Sequence, residues 1–262
     1  MRTNYHTHTT RCNHAVGSDE SYVLEAIRAG YSVLGFSDHG PWPYQDGFSS
    51  HIRMDISLFP DYLNSIRALR EKYKGQIEIL IGLESEYYPE HHSWLLEQVE
   101  EQGLDFLILG SHFDRPDEEL YFGGLRTAQE YDRYAKHTIK GMESGAFQAL
   151  AHPELFMLNA VKFDEDCESV SRDLIQAAKA LDLPLEYNLS GLYPISWRNG
   201  LGYPNPDFWK IAAREGATAI IGLDAHDPRR FQDTDKYDEA VKFLDGLGIK
   251  RIDTLKTPIS TQ

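Results

Sequence analysis

The chain has 262 residues, of which 41% are hydrophobic and 26% are charged, and these values are ordinary for a globular protein with a substantial core. Its 41 acidic and 26 basic side chains give a formal net charge of −15, which argues against a nucleic-acid polymer as a partner because phosphate backbones bind to basic surfaces. A small anionic ligand is still allowed where metal ions supply local positive charge. We expect a single domain over residues 1–262, since α/β barrels reach this length as one domain.

The two cysteines, Cys12 and Cys167, are too few for a disulfide framework, and the sequence shows no signal peptide. We therefore expect a cytoplasmic protein. No apolar run approaches the ~18–20 residues that a membrane helix needs, so no membrane partner is expected. The sequence does not indicate an oligomeric state.

Short β-rich segments alternate with helical patterns from one end of the chain to the other. In chain order, the predicted elements are strand 4–8, helix 21–29, strand 33–38, helix 61–74, strand 77–83, helix 94–101, strand 104–109, helix 128–144, strand 147–151, helix 169–181, strand 185–187, helix 207–214, strand 218–223 and helix 237–247. A further short strand at 250–252 would be the eighth. Repeated strand–helix units predict parallel strands with right-handed crossovers, as in an open sheet or a closed barrel. Open sheets that bind nucleotides usually have a glycine-rich G-x-G-x-x-G turn after the first strand. This sequence has no such turn, so it gives no indication of a nucleotide-binding open sheet.

Polar residues able to bind metal follow nearly every predicted strand. They are His6 and His8, Asp38 and His39, Glu84, His112, His152, and Asp224 and His226, with Asn188 after the sixth strand and His14 just beyond the first. The longest irregular segments, 40–59, 115–125, 154–166 and 190–205, also follow strand ends. In a barrel, all of these ends lie on the rim where the active site is built.

A single histidine at a strand end is usually a hydrogen-bonded structural residue. Here, however, seven of the eleven histidines fall at strand ends, and His6 and His8 share one face because side chains repeat every two residues along a strand. The remaining histidines are predicted to be solvated polar residues; they are His51, His91, His92 and His137.

Neutral imidazole suits zinc, iron, nickel or copper, and carboxylates tolerate zinc, iron and manganese. Seven histidines and two acids are too many ligands for one tetrahedral ion, and they suit three ions that share a bridging carboxylate. A multinuclear site with open positions indicates hydrolysis, because metals acidify bound water and stabilise the oxygens of a phosphoryl displacement.

The motifs resemble those of the polymerase-and-histidinol-phosphatase (PHP) family, in the family's order and over nearly the whole chain. The matching motifs are His6-Thr7-His8, Cys12-x-His14-Ala15, Ser37-Asp38-His39, Gly82-x-Glu84, Gly110-Ser111-His112, Ala151-His152-Pro153 and Gly222-x-Asp224-x-His226. Within the family, the chain is similar to the stand-alone histidinol-phosphate phosphatase type. The resemblance implies a distorted (β/α)7 TIM-like barrel and three divalent transition-metal ions, which could be zinc, iron or manganese.

The resemblance also divides the ligands among the ions. It implies that the first ion is held by His6, His8, Glu84 and Asp224. Glu84 would bridge to the second ion, which His112 and His152 complete, and the third would be held by His14, His39 and His226.

The expected reaction is hydrolysis of L-histidinol phosphate, a small phosphate monoester, by a hydroxide that bridges the first two ions and attacks phosphorus in line. Arg198 is the first candidate for binding the phosphate; Arg53, Arg115 and Lys162 lie in other rim loops and are weaker candidates. Asp38 could orient a metal ligand or donate the leaving-group proton, and we favour the first role. The substrate's imidazole and amine need aromatic and acidic neighbours, and rings in rim loops are supplied by Trp42, Tyr44, Phe48, Tyr121, Phe122 and Tyr193.

Two other functions fit the sequence. One keeps the fold but changes the substrate to a nucleotide, a phosphodiester or another small phosphate ester. The other is a metal-binding module without catalysis, against which the complete ligand set and the lack of a fused domain both count.

Overall fold

The computed structural model describes residues 1–44, 47–116, 118–193 and 200–257, and these form one curled sheet of parallel strands flanked by helices. The eight strands pair in chain order and are β1 Arg2–Asn4, β2 Tyr31–His39, β3 Glu78–Ser85, β4 Phe106–Leu109, β5 Ala149–Leu150, β6 Leu185–Asn188, β7 Thr218–Gly222 and β8 Lys250–Arg251. The helices between them are α1 Asp19–Arg28, α2 Phe59–Lys72, α3 Pro89–Gln102, α4 Ala128–Glu143, α5 Glu165–Ala180, α6 Pro206–Glu215 and α7 Thr234–Gly246. None of these helices is long and apolar enough to cross a bilayer.

The two sides of the curled sheet meet just beyond the ends of β1 and β7. An isolated parallel bridge joins Thr7 to Ala225, and the backbone N–H of His8 donates to the carbonyl of Ala225 at 3.0 Å. The predicted α/β, TIM-like barrel architecture is confirmed, and the eighth strand pairs with the start of β7.

The first strand lies earlier than predicted, at Arg2–Asn4 instead of 4–8, and the side chain of Asn4 pairs with backbone groups at its end. The carboxamide of Asn4 donates to the carbonyl of His6 at 3.0 Å and accepts from the backbone N–H of Leu223 at 2.8 Å. Regular pairing therefore ends at Asn4, and His6 and His8 lie in an irregular segment that turns into the mouth of the barrel.

Local sequence signals explain where the helices begin and end. Thr127 and Glu130 form a reciprocal capping box at the start of α4, and Asn205 accepts from two backbone N–H groups at the start of α6. Gly216 ends α6 with a positive φ of 74°, a conformation that glycine adopts without strain. Helix α3 begins five residues before its predicted start because Pro89 occupies its first turn, where the missing N–H costs nothing.

The core lies on both faces of the sheet. The larger part packs the helices onto the strands, with fully buried side chains such as Leu107 and Phe156. The opposite face of the strands holds a smaller cluster that includes Phe106, Ile108 and Ile220. Alternation along β4 thus supplies both clusters, which fixes the register of the strand and hence the position of the residues that follow it.

Candidate metal centre

The structure brings all nine predicted metal ligands together at the carboxyl ends of the strands. His39 is the last residue of β2 and Glu84 is the last but one of β3, and the other seven lie in the segments that follow β1, β4, β5 and β7. A cavity of about 730 Å³ opens above them. Seven of the nine line it: His14, His39, Glu84, His112, His152, Asp224 and His226. His6 and His8 lie underneath, fully buried.

Glu84 occupies the centre of this group. Its Oε1 lies 2.8 Å from Nε2 of His152 and 3.3 Å from Nε2 of His112. Its Oε2 lies 3.1 Å from Nδ1 of His39 and 3.3 Å from Nε2 of His6. The two oxygens therefore face different histidines, which is the arrangement that a carboxylate bridging two ions requires.

Asp224 holds the other acidic position. Its Oδ1 lies 3.2 Å from Nε2 of His8, 3.5 Å from Nε2 of His6 and 3.3 Å from Nδ1 of His226. The carboxylate thus lies between the buried His6–His8 pair and His226 at the mouth of the cavity.

Two pairs of histidines turn ring nitrogens toward each other. The Nε2 atoms of His6 and His8 are 3.1 Å apart, and those of His112 and His152 are 3.2 Å apart. Ligand nitrogens ~2.0–2.1 Å from a tetrahedral ion lie ~3.3 Å from each other, so both separations suit a shared metal. The Nε2 atom of His226 is buried without a hydrogen-bond partner, which also fits a metal ligand.

A third group consists of His14, His39 and His226, whose ligand atoms all lie within 4.8 Å of one another. Burial, followed by the positive charge of His8, lowers the pKa of each of the three, to about 3 for His226. These imidazoles are therefore neutral at pH 7, and neutral imidazole is the form that binds metal.

The carboxylates have the opposite effect on the deeper histidines. Burial opposes protonation of His6, but Glu186, Glu84 and Asp224 outweigh it and raise the pKa of His6 well above its usual range. Likewise, burial opposes ionisation of Glu84, but the surrounding histidines, His112 first, hold the pKa of Glu84 well below its usual range. The carboxylates of Glu84, Asp224 and Glu186 thus concentrate negative charge in the protein interior, and bound metal cations would neutralise this charge.

Three further carboxylates hold the ligand histidines from behind. Glu186 accepts from Nδ1 of His6 at 2.8 Å, and Glu86 lies 3.1 Å from Nδ1 of His112. Asp38 lies 3.3 Å from Nδ1 of His8 and is itself fully buried. Each contact leaves Nε2 of the histidine directed to the centre, and such contacts fix the tautomer and orientation of metal-binding histidines.

The backbone around the centre is crowded and strained. A Cβ atom on Gly110 would lie 2.3 Å from Oε1 of Glu84, and one on Gly222 would lie 1.8 Å from Oε1 of Glu186, so only glycine fits at either position. His152 and Asp224 have positive φ values of 28° and 48°. For non-glycine residues such conformations cost about 1–3 kcal/mol each, and they cluster at functional sites.

Comparison with known proteins agrees with this geometry. A model of the PHP domain family matches residues 4–190. A protein of Deinococcus radiodurans named "Probable histidinol-phosphatase" is 30% identical over 242 residues, which cover 85% of this chain and 85% of the relative. The chain belongs to the PHP domain family.

Other similar proteins have related names. The "Histidinol-phosphatase" of Bacillus subtilis is 29% identical over 155 residues, which cover 55% of this chain and 54% of the relative. The crystal structure of the histidinol phosphate phosphatase of Lactococcus lactis, complexed with zinc, L-histidinol and phosphate, superposes with a TM-score of 0.73 at 18% identity and covers 97% of this chain and 98% of that one. This structural similarity supports the PHP fold.

The structure of this PHP protein corrects the prediction that Arg53 binds phosphate from a rim loop. Arg53 is 1% exposed and makes a bidentate ion pair with Glu86, at 2.9 and 3.0 Å. Its Nε also lies 3.3 Å from a carboxylate oxygen of Glu118. With its charge neutralised beneath the surface, Arg53 supports the carboxylate that holds His112 and is not available to a ligand.

Two other predicted phosphate contacts also lie away from the PHP cavity. Arg115 is exposed and pairs with Glu119 at 3.1 Å. Lys162 is exposed in a shallow surface depression whose other charged residues are acidic. Arg198 lies outside the described residues.

Four of the six predicted aromatic residues lie either in the core or at the cavity. Trp42 and Phe122 are fully buried among other rings, whereas Tyr121 and Tyr193 line the cavity. The prediction of four solvated histidines is wrong for His137, whose Nε2 is buried and whose ring lies 5.2 Å from that of Phe122.

Four residues around the PHP site were not predicted from the sequence. Glu86 lies two positions after Glu84, directly beyond the end of β3, and Glu186 lies two positions before Asn188 on β6, so the period of two along a strand could have found both. Arg230, in the segment that follows β7, and Tyr203 line the cavity but carry no such periodic signal.

Proposed function

We propose that the protein is a metal-dependent phosphomonoesterase that hydrolyses L-histidinol phosphate to L-histidinol and phosphate. The observation that carries the proposal is the convergence of seven imidazoles and two carboxylates at the floor of one cavity. The names of the similar histidinol-phosphatases supply the substrate.

The donor set fits three ions, consisting of zinc, iron, manganese or a mixture of these. We assign the first ion to His6, His8, Glu84 and Asp224. Glu84 also contributes to the second, with His112 and His152, and the third is assigned to His14, His39 and His226. Bound ions of this kind acidify water and stabilise the charge on phosphoryl oxygens.

The chain's own residues keep these ligands in place. Asp38 accepts hydrogen bonds from the backbone N–H groups of Thr9 and His39, at 3.2 and 3.0 Å, in addition to its contact with His8. Both of its oxygens are used in this way, and it does not line the cavity. We therefore assign Asp38 to the positioning of His8 and not to proton donation. Glu186 and Glu86 position His6 and His112 in the same manner.

The cavity suits a small substrate with a phosphate at one end and an aromatic, cationic group at the other. Its volume of about 730 Å³ lies within the ~300–1,000 Å³ common for small-molecule sites. Phe113, Tyr121 and Tyr203 line its walls, and aromatic faces attract both an imidazole ring and an ammonium group. The assignment of Arg198 to the phosphate stays a prediction from sequence.

A substrate panel tests the proposal. Phosphate release by the metal-loaded protein is measured with L-histidinol phosphate, adenosine monophosphate, p-nitrophenyl phosphate and the diester bis(p-nitrophenyl) phosphate, with chelator-treated protein as the control. We expect the highest kcat/KM for L-histidinol phosphate and loss of all turnover after chelation. A preference for the nucleotide or the diester would favour the alternative substrates, and no turnover with any ester would favour a non-catalytic metal-binding module.

A further inference from the structure

Arg230 is the single arginine or lysine among the described residues that line the cavity. The other ionisable lining residues, apart from tyrosines and histidines, are Glu84, Asp224 and Asp227. In a chain with a net charge of −15, this one cation stands out at the mouth of an acidic site.

The turn that carries Arg230 is firmly attached to the end of β7. It is a short 3₁₀ helix, Pro228–Gln232, and the Asp227 carboxylate at its start accepts from the backbone N–H of Arg229 at 2.9 Å. Phe231 is fully buried, and its ring lies 5.1 Å from that of Tyr31. The turn therefore has one residue in the core and the preceding one, Arg230, at the cavity.

Tyr193 provides a platform for the Arg230 side chain. The guanidinium carbon lies 3.4 Å from the centre of the Tyr193 ring, within the range of a cation–π contact. The Tyr193 hydroxyl donates to the carboxylate of Asp233. Burial and that carboxylate raise the pKa of Tyr193 to about 12, so the ring stays neutral and does not cancel the arginine's charge.

Arg230 has no carboxylate partner among the described residues, whereas the adjacent Arg229 is paired with Asp227. A guanidinium that stacks on a ring through its face keeps its N–H donors in the plane of the group, where they can reach an anion. We propose that Arg230, held on the Tyr193 ring, binds the phosphate group of the substrate in the cavity above the metal centre. This inference rests on the proposed phosphatase function.

The chemistry of the substrate favours the phosphate as the group that Arg230 contacts. The imidazole and amine of L-histidinol phosphate carry or accept protons, and a fixed guanidinium would repel their cationic forms. A phosphate offers several oxygens to the N–H groups of a planar guanidinium, and such charge-assisted hydrogen bonds are often bidentate. A lysine at the same position would act as a point charge and recover only part of the contact.

The test is the affinity of the metal-loaded protein for inorganic phosphate, measured by calorimetric titration, together with kcat/KM on L-histidinol phosphate. In Arg230→Met we expect both phosphate affinity and kcat/KM to fall about 10- to 100-fold, with metal content unchanged. Arg230→Lys should fall between this variant and the wild type. Arg115→Met removes an exposed cation that lies away from the cavity. Its phosphate affinity and its kcat/KM should both stay within about twofold of the wild type.

Phosphate affinity in Arg230→Met equal to that of the wild type would overturn the proposal, even if turnover fell, because the residue would then act through some other contact. An equal loss in Arg115→Met would also overturn it, since the effect would then come from net charge alone. If the wild type binds phosphate but does not hydrolyse L-histidinol phosphate, the proposed substrate is wrong, and the titration still decides the role of Arg230.

Discussion

The two nitrogens of His6 face two different carboxylates. Its Nδ1 lies 2.8 Å from Glu186, and its Nε2 lies 3.3 Å from Glu84. Because Glu186 also accepts from the backbone N–H of His152 at 3.1 Å, one carboxylate orients a histidine on each side of the central Glu84. This arrangement fixes the orientation of the His6 ring and the backbone position of His152.

Glu186 should therefore control metal affinity without being a ligand itself. In Glu186→Gln the side chain keeps its size but loses its charge, so we expect metal affinity to fall about 10- to 100-fold while the fold persists. Metal titration of the stripped protein measures this affinity, with Glu143→Gln, at an exposed carboxylate on α4, as the control. Wild-type affinity in Glu186→Gln would contradict the positioning role.

Glu84 should be essential for metal and activity together. As the proposed bridge it would neutralise two ions, so Glu84→Gln is expected to lose bound metal and turnover in parallel, while circular dichroism shows an intact barrel. The variant is checked by elemental analysis and by phosphate release from L-histidinol phosphate. Full metal content with full turnover would mean that the bridging assignment is wrong.

The buried Arg53–Glu86 ion pair leads to a prediction about stability. Burial opposes ionisation of Glu86, but Arg53, followed by His112, holds the pKa of the Glu86 carboxyl well below its usual range. Arg53→Met leaves this charge unpaired in the interior, and we expect a loss of about 3–5 kcal/mol in the free energy of unfolding. The double variant Arg53→Met/Glu86→Leu removes both charges and should recover part of that loss.

Denaturant unfolding of both variants distinguishes this role from phosphate binding. If Arg53 bound the substrate, Arg53→Met would raise KM and leave the free energy of unfolding unchanged. That result would contradict its assignment to the support of Glu86 and His112.

His137 predicts how stability depends on pH. Burial lowers the pKa of His137 to about 4, whereas an unfolded histidine titrates near ~6.5. Between these pH values the unfolded chain binds more protons than the folded chain. The contribution of His137 to the free energy of unfolding is therefore complete above pH ~6.5 and is lost as the pH falls toward 4.

Replacing His137 with phenylalanine keeps a ring beside Phe122 and removes the proton site. Over this pH range the free energy of unfolding should fall less steeply in His137→Phe than in the wild type, by at most about 1.4 kcal/mol per pH unit. Chemical denaturation at a series of pH values measures both slopes. Equal slopes would show that His137 is not kept neutral by burial.

The strand ends could be predicted from sequence because their hydrophobic runs and following polar residues are local features. Six of the runs of β-rich residues end at or just before a proposed metal ligand, as with Leu83 and Glu84 on β3. Parallel pairing then brings distant segments to one rim, but the separate group of His14, His39 and His226 could be predicted only from the family resemblance.

The roles of the arginines could not be predicted, because the path of a loop has no periodicity. Arg53 lies in a long segment between β2 and α2, and nothing local shows that the segment folds back to bury it against Glu86. The position of Arg230 at the cavity could not be predicted either. Its neighbour Arg229 has the same charge, yet the Arg229 side chain is 80% exposed to solvent. In the structure Phe231 is buried, and Arg230 lines the cavity while Arg229 pairs with Asp227.

The central claim is that nine converging residues hold three ions that enable phosphate ester hydrolysis. The most direct measurement is phosphate release from L-histidinol phosphate by stripped protein to which zinc, iron or manganese is returned in steps, with bound metal counted by elemental analysis. We expect activity to reach its maximum only as bound metal approaches three equivalents per chain. Full activity at one equivalent or fewer, or no activity at any loading, would contradict it.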